Sequence, residues 1–396
     1  MGDVDRARAS EDHLALLLAE WVLVLLQAHL GVQQIRSSGP RAWSATVSTG
    51  EAVEFSVGDG GRLEVSSPQP SIDGLEQIAL EAHRRAGAGD VGEGVWWRAA
   101  FSTDVALTVG SELHMIRVMS EHTPFDGQWR LGDEVLIDFK QGHTEPGPVF
   151  FPKFTTDIYF RVAAPGHGPY SRSLAEERGT ILRAIVAFVV AAPVEKGAIF
   201  PLVGERMDAV KASIASAPEL PFGDAPIWEQ LEALVPETGP SEARTRVLGA
   251  MFSYEQAISQ QSGFVALVLL VSALEALSVP NAPGWASNRV TSRFISFVRE
   301  LCPDAIDETM RHDNFANAFG AFSSSTRFLN ELYDLRSKPL HTGFVAHGVD
   351  FLMGDNNGKR RLILVSDLVR KAIASFLRRP FSSLIGNPAM APDAPT

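Results

Sequence analysis

The sequence predicts two parts of different fold class: an N-terminal α+β domain with antiparallel strands over residues 1–165, and an all-α helical bundle over 241–385. Three observations carry this. Between residues 52 and 162 apolar residues alternate in short runs separated by Gly- and Pro-containing turns, the period-2 signal of half-buried strands. Past Pro240 apolar residues recur at helical spacing. Between the two patterns lies Ala163-Ala-Pro-Gly-His-Gly-Pro169, a loop composition that suits a domain boundary.

Composition narrows the function. The chain has 396 residues, 45% hydrophobic and 21% charged, which is globular material of two-domain length. A net charge of −12 excludes a broad electrostatic grip on nucleic acid and leaves room for a local basic cleft. The one cysteine, Cys302, excludes an internal disulfide framework and a cysteine-based zinc site, and it suits a reducing cytoplasm. Neither a metal nor another cofactor is expected. The start, Met1-Gly-Asp-Val-Asp5, is acidic where a secretory signal would be basic. The apolar run Leu14–Leu26 holds Glu20 and is expected to be a buried helix rather than a membrane span.

In order along the chain, residues 11–31 read as an inward-packed helix, apolar on most sides. Ala52–Val57 and Arg62–Val65 alternate around Gly58-Asp-Gly-Gly61, a hairpin signature. Ser71–Ala86 reads as a helix with Ser71 as N-cap. Val135–Phe139 and Asp157–Val162 read as strands, and Ser173–Ala192 as a helix. Residues 170–240 connect the domains, the proline-rich 193–240 holding only short helical pieces. Ser241 caps a helix to about Gln260, Phe264–Val279 is a buried helix, and Asn288–Leu301 is another. Asp313 is expected to cap one long helix through Phe315, Phe319, Phe322, Leu329 and Tyr333. Phe344–Met353 and Arg360–Val365 flank Asp355-Asn-Asn-Gly358 as an expected hairpin. Ser366 caps a last helix ended by Pro380, and residues 386–396 are expected to be disordered.

Three charges stand on stripes that should face inward. Glu275 shares a helix face with Phe264, Val268 and Val271. Arg336 continues the stripe of Leu329 and Tyr333, and Arg293 lies near that of Val290, Phe294 and Phe297. A charge on a core-facing stripe is costly unless partnered. From pattern alone, a buried salt-bridge network of Glu275 with Arg293 or Arg336 explains them. His341 follows Arg336 by five positions, a spacing without meaning by itself, since Arg8 and His13 share it. Trp96-Trp97-Arg98 reads as β-domain core with a cation on the rings, and His114, His122 and His143 lack metal-ligand spacing. Lys359-Arg-Arg361 and Arg378-Arg379 read as solvated basic ends.

In order and spacing, four segments together resemble the Apea-like HEPN family: Tyr254-Glu-Gln-Ala-Ile258, Phe264–Leu277 with its Leu274-Glu-Ala-Leu277, Arg293-Phe-Ile-Ser-Phe297, and Leu332-Tyr-Asp-Leu-Arg-Ser-Lys-Pro-Leu-His-Thr-Gly343. The resemblance covers residues of about 240 to 380. It implies a helical bundle that forms a homodimer through these C-terminal helices, bringing two Arg-x4-His motifs together, and it implies metal-independent cleavage of RNA. Carried over residue by residue, His341 is the acid/base, Arg336 the stabiliser of phosphoryl charge, and Glu275 the residue that orients Arg336. Lys338, Arg293 and Ser337 are the expected RNA contacts. The setting implied is phage defence or a stress response in the cytoplasm, without a membrane, and with the N-terminal domain answering an unknown trigger. Ser337, Pro339 and Thr342 depart from the family's pattern. Ser337 and Pro339 favour the alternative, a non-catalytic HEPN dimerisation or ligand-binding regulatory module, while the intact Arg336 and His341 and the inward Glu275 favour the nuclease.

Overall fold

The structure is a computed structural model that describes residues 3–68, 74–103, 127–141, 154–191, 193–218, 225–235, 241–260, 262–278, 290–342 and 356–379; within α11 below, the side chains of 337–342 fall outside it. The N-terminal region carries antiparallel sheet and the C-terminal region is helical. Backbone packing divides the chain into two units that are discontinuous in sequence, so neither coincides with residues 1–165 or 241–385. Met1–Ala99, Tyr159–Gly179 and Ile199–Ala215 form the first; Ala100–Ile158, Thr180–Ala198 and Ser216–Thr396 form the second.

In the first unit, α1 (Asp3–Leu30) is buried along its middle, with Leu18, Ala19, Val22 and Leu26 at 0–1% exposure. By length and composition residues 12–30 are apolar enough to cross a bilayer. Here the run packs on α2 (Leu75–Gly87) and on a four-stranded meander, β1 (Val32–Gly39), β2 (Ala42–Val47), β3 (Ala52–Val57) and β4 (Leu63–Ser66). Alternation does its expected work. Trp43, Ala45 and Val47 of β2 and Val53, Phe55 and Val57 of β3 turn inward, and Trp43 stacks on its cross-strand partner Phe55 at 5.6 Å. The β3–β4 hairpin forms with Val57 opposite Leu63. Ser71 lies outside the described residues; α2 begins instead after Gly74, whose φ of 89° a residue with a side chain adopts reluctantly.

A second sheet runs in the order β6-β7-β8-β5-β9, from β5 (Val95–Thr103), β6 (Gly127–Arg130), β7 (Val135–Gln141), β8 (Phe154–Val162) and β9 (Glu195–Leu202). The sequence does not announce β9, because Gly197 and Pro201 weaken its pattern. Its place at the sheet edge is where a proline is tolerated. Before β9 comes α3 (Pro169–Val190), and after it α4 (Glu205–Ser216) and α5 (Ala225–Leu234).

In the second unit, α6 (Glu242–Ile258) starts at Ser241, whose Oγ accepts the Arg244 N–H at 3.0 Å. Next come α7 (Gly263–Ser278), α8 (Val290–Leu301), α9 (Pro303–Arg311), α10 (Phe315–Phe319), α11 (Ser325–Thr342) and α12 (Asn356–Leu377). α7 packs against α6, α8, α11 and α12, around the fully buried Tyr254, Phe294, Phe328 and Phe376. Two expectations fail here. The single helix from Asp313 is two helices. α10 stops at Gly320, with φ of 82°, and α11 restarts where Ser324 Oγ accepts the Arg327 N–H at 3.3 Å. The second strand of the hairpin does not form: Arg360–Val365 is helical, and Ser366 lies buried inside α12 rather than at its cap. Leu362, Val365, Val369, Ile373 and Phe376 all bury from α12, so core packing overrides the β-branched run. Residues 344–353 lie outside the described residues.

Candidate functional site

Glu275 sits near the end of α7, one turn before the helix closes on its own carbonyls. Ser278 Oγ donates to the Glu275 carbonyl at 2.9 Å, and Arg246 of α6 donates to the carbonyl of Leu277. These contacts satisfy orphan acceptors of the helix end and fix the turn that carries Glu275. The Arg246 guanidinium lies 5.3 Å from the Phe297 ring and 5.7 Å from the Phe376 ring, so α6, α8 and α12 are joined through one cation. Burial pulls its pKa below the ordinary arginine value, with Glu242 opposing.

Arg336 reaches Glu275 from α11: Nη2 lies 2.8 Å from Oε2, with 24% and 17% of the two side chains exposed. The pair is thus sheltered but reachable. Burial pushes the Glu275 carboxyl above its usual range, and Arg336 pulls it back only in part. The Nε of Arg336 is buried without a hydrogen-bond partner, so the fork is not saturated. One turn earlier, the Tyr333 ring packs on Phe294 at 5.4 Å, which fixes α11 against α8. Arg293 stands half-buried on α8 beside Phe294, and Arg336 is the cation that acts on Glu275.

The backbone of α11 continues through Pro339 to Thr342, so Ser337, Lys338 and His341 share its last turns. His341 is five positions beyond Arg336 on this helix, about 7.5 Å of rise. Pro339 cannot donate the backbone hydrogen bond that a helix directs to the Leu335 carbonyl. The side chains of Ser337, Lys338 and His341 lie outside the described residues.

A second ion pair escaped sequence reading. Arg183 Nη2 of α3 meets Glu255 Oε2 of α6 at 3.2 Å, with the Glu255 side chain only 6% exposed. Burial raises the Glu255 carboxyl above its usual range against the pull of Arg183. Its signal was present: Glu255 lies on the stripe of Met251, Tyr254 and Ile258. Arg370 was missed as well; it donates to the carbonyls of Phe188 at 3.0 Å and Val189 at 2.8 Å, closing the end of α3. Arg361 is not a solvated end, because it donates to the Ala318 carbonyl and lies over the Phe319 ring at 5.7 Å.

Elsewhere, Trp96 and Trp97 are core residues at 6% and 3% exposure, and His167 lies against Trp97 at 5.5 Å. His114, His122 and His143 lie outside the described residues, among which no group of His, Cys, Asp or Glu is placed to hold a metal ion. Burial pushes the Cys302 thiol up to about 12, which keeps it an unreactive core group. Compared with protein-family models, curated proteins and solved structures, the chain matches none.

Proposed function

We propose that this protein is a cytoplasmic, metal-independent endoribonuclease of the HEPN type, active as a homodimer through its C-terminal helices. The Glu275–Arg336 pair is the observation that supports the reading most: a carboxylate and a half-sheltered guanidinium on neighbouring helices, with His341 on the same helix as the arginine. In this reading His341 takes the proton from an RNA 2′-hydroxyl, and the oxygen attacks the adjacent phosphorus. The 5′-oxygen leaves with a proton, giving a 2′,3′-cyclic phosphate and a 5′-hydroxyl. Arg336 stabilises the charge on the phosphoryl oxygens, Glu275 orients it, and Lys338, Arg293 and Ser337 hold the RNA backbone. Two copies of the site would concentrate positive charge locally on a chain whose net charge is −12. The N-terminal part would restrain the nuclease until a trigger arrives, as in phage defence or a stress response.

The test is cleavage of mixed RNA by the purified chain in EDTA, wild type against His341→Ala. The proposal predicts cleavage that falls by about 10²–10⁴-fold in the variant, the usual weight of an acid/base group. A non-catalytic HEPN module is the second reading, and Pro339, which removes a backbone donor between Arg336 and His341, favours it together with Ser337. It predicts no cleavage and an effect of Arg336 substitutions on stability alone.

A further inference from the structure

Glu20 is a carboxyl in the middle of the apolar α1, with 0% exposure. Among the described residues no lysine or arginine pairs with it. Its partners are instead at the start of α3. Oε1 accepts the Gly168 N–H at 2.6 Å and the Ser171 Oγ–H at 3.2 Å, and Oε2 accepts the Tyr170 N–H at 3.1 Å. Two glycines of the preceding loop make room for this approach. A Cβ on Gly168 would come within 2.9 Å of the Glu20 Cδ, and one on Gly166 within 2.7 Å of Val24 Cγ2. The carboxyl therefore caps a 22-residue helix from a residue 150 positions away.

The groups at this junction can also partner a neutral carboxyl, through weaker hydrogen bonds. Ser171 Oγ also lies 3.1 Å from the Gly168 carbonyl. If Oε1 carries a proton, it donates to Ser171 Oγ, whose own hydrogen turns to the Gly168 carbonyl. Both backbone N–H groups keep their acceptors. An ionised carboxylate in the same place has no cation to offset its burial.

We propose that the start of α3 is a pH-operated latch, in which Glu20 clamps the first turn while uncharged and releases it on ionising. The direction of the Glu20 pKa agrees: burial raises it, and the hydrogen bonds from Gly168, Tyr170 and Ser171 oppose. A raised acid gives stability that is complete below the unfolded value and is lost as pH rises through the folded one. A second group bounds the window from below. His167 sits between Glu20's two backbone partners and the rest of the loop, with Nε2 3.1 Å from the Trp96 carbonyl, and burial lowers its pKa. A lowered base favours the closed form above its unfolded value and weakens it as pH falls through the folded one.

The other titratable or charged groups nearby are already engaged. His13 of α1 lies 3.0 Å from the Tyr170 hydroxyl, Arg85 of α2 lies over Trp21, and Arg172 of α3 pairs with Glu176. Ionisation of Glu20 thus loosens the latch as pH rises, and protonation of His167 loosens it as pH falls.

Amide hydrogen exchange of the full-length chain between pH 5 and 8, corrected for intrinsic rates, tests this on the segment holding Gly168 and Tyr170. Protection of the wild type should fall with rising pH, by at most tenfold per unit for a single linked proton. In Glu20→Gln the fall should disappear. Wild-type protection that stays level over this range overturns the proposal, as does a fall that survives in Glu20→Gln. Should Glu20→Gln not fold, Ser171→Ala decides. It removes a hydrogen bond that holds the Glu20 pKa down and should move the fall to higher pH; an unmoved fall counts against the latch. None of these readouts depends on nuclease activity.

Discussion

Replacing Glu275 by Gln should separate what this residue does for the fold from what it does for chemistry. The carboxyl is mostly buried and its pKa is raised even though Arg336 lies 2.8 Å away, so burial costs it more than the arginine returns. Each unit of such a rise is about 1.4 kcal/mol against the ionised form. Glu275→Gln removes the charge and keeps shape and an acceptor for the guanidinium. Arg336 keeps 24% of its side chain in water, so losing the negative partner does not strand a fully buried cation. At pH 7.5 the variant should lie within about 1 kcal/mol of the wild type, on the stabilising side. The sign follows from the raised acid: wild-type stability declines as pH rises through the folded value, while the variant stays level. The two curves should meet in acid and part above it. Exchange protection of the α7 and α11 segments across pH gives the measurement without assuming that the whole chain unfolds in one step. If Glu275→Gln lost about 3 kcal/mol or more, the pair would be a structural bridge of the kind that is costly to break, and the reasoning would fail.

Other expected outcomes are more local. Arg183→Met leaves the Glu255 carboxyl buried at 6% exposure without its cation, and should cost about 3 kcal/mol by urea unfolding, with partial recovery in Arg183→Lys. Gly197→Ala places a Cβ into the Ala100 carbonyl, with the carbonyl carbon itself 2.8 Å away, and should reduce the yield of folded chain sharply where Gly87→Ala, which meets no neighbour, does not. Ser241→Ala removes the bond to the Arg244 N–H and should lower stability by about 1 kcal/mol, seen first as faster exchange in the opening turn of α6.

Much of the helical part was legible because its signals are local. Ser241 caps as its type predicts, and the apolar run from Phe264 forms α7, which buries Leu267, Leu270, Val271 and Leu274. The inward lean of Glu275 and Arg336 could be read from spacing, and the structure brings these two together. What stayed hidden depends on contacts distant in sequence. β9 exists because a sheet edge tolerates Pro201, and Arg360–Val365 is helical because the core takes Leu362 and Val365 together with Phe376. The cap of α3 could not be found near α3, since Glu20 lies about 150 residues before it. The break at Gly320 was open to local reading; the aromatic spacing of Phe315, Phe319 and Phe322 masked it, because those rings also cluster across the break around Phe328.

The most direct measurement is the end chemistry of RNA incubated with the purified chain in EDTA. The proposal predicts 2′,3′-cyclic phosphate and 5′-hydroxyl ends, no cut where the attacking 2′-hydroxyl is replaced by hydrogen, and a loss of about 10²–10³-fold in Arg336→Met. Cleavage that ignores the 2′-hydroxyl, or that is equally fast in Arg336→Met and His341→Ala, would contradict it.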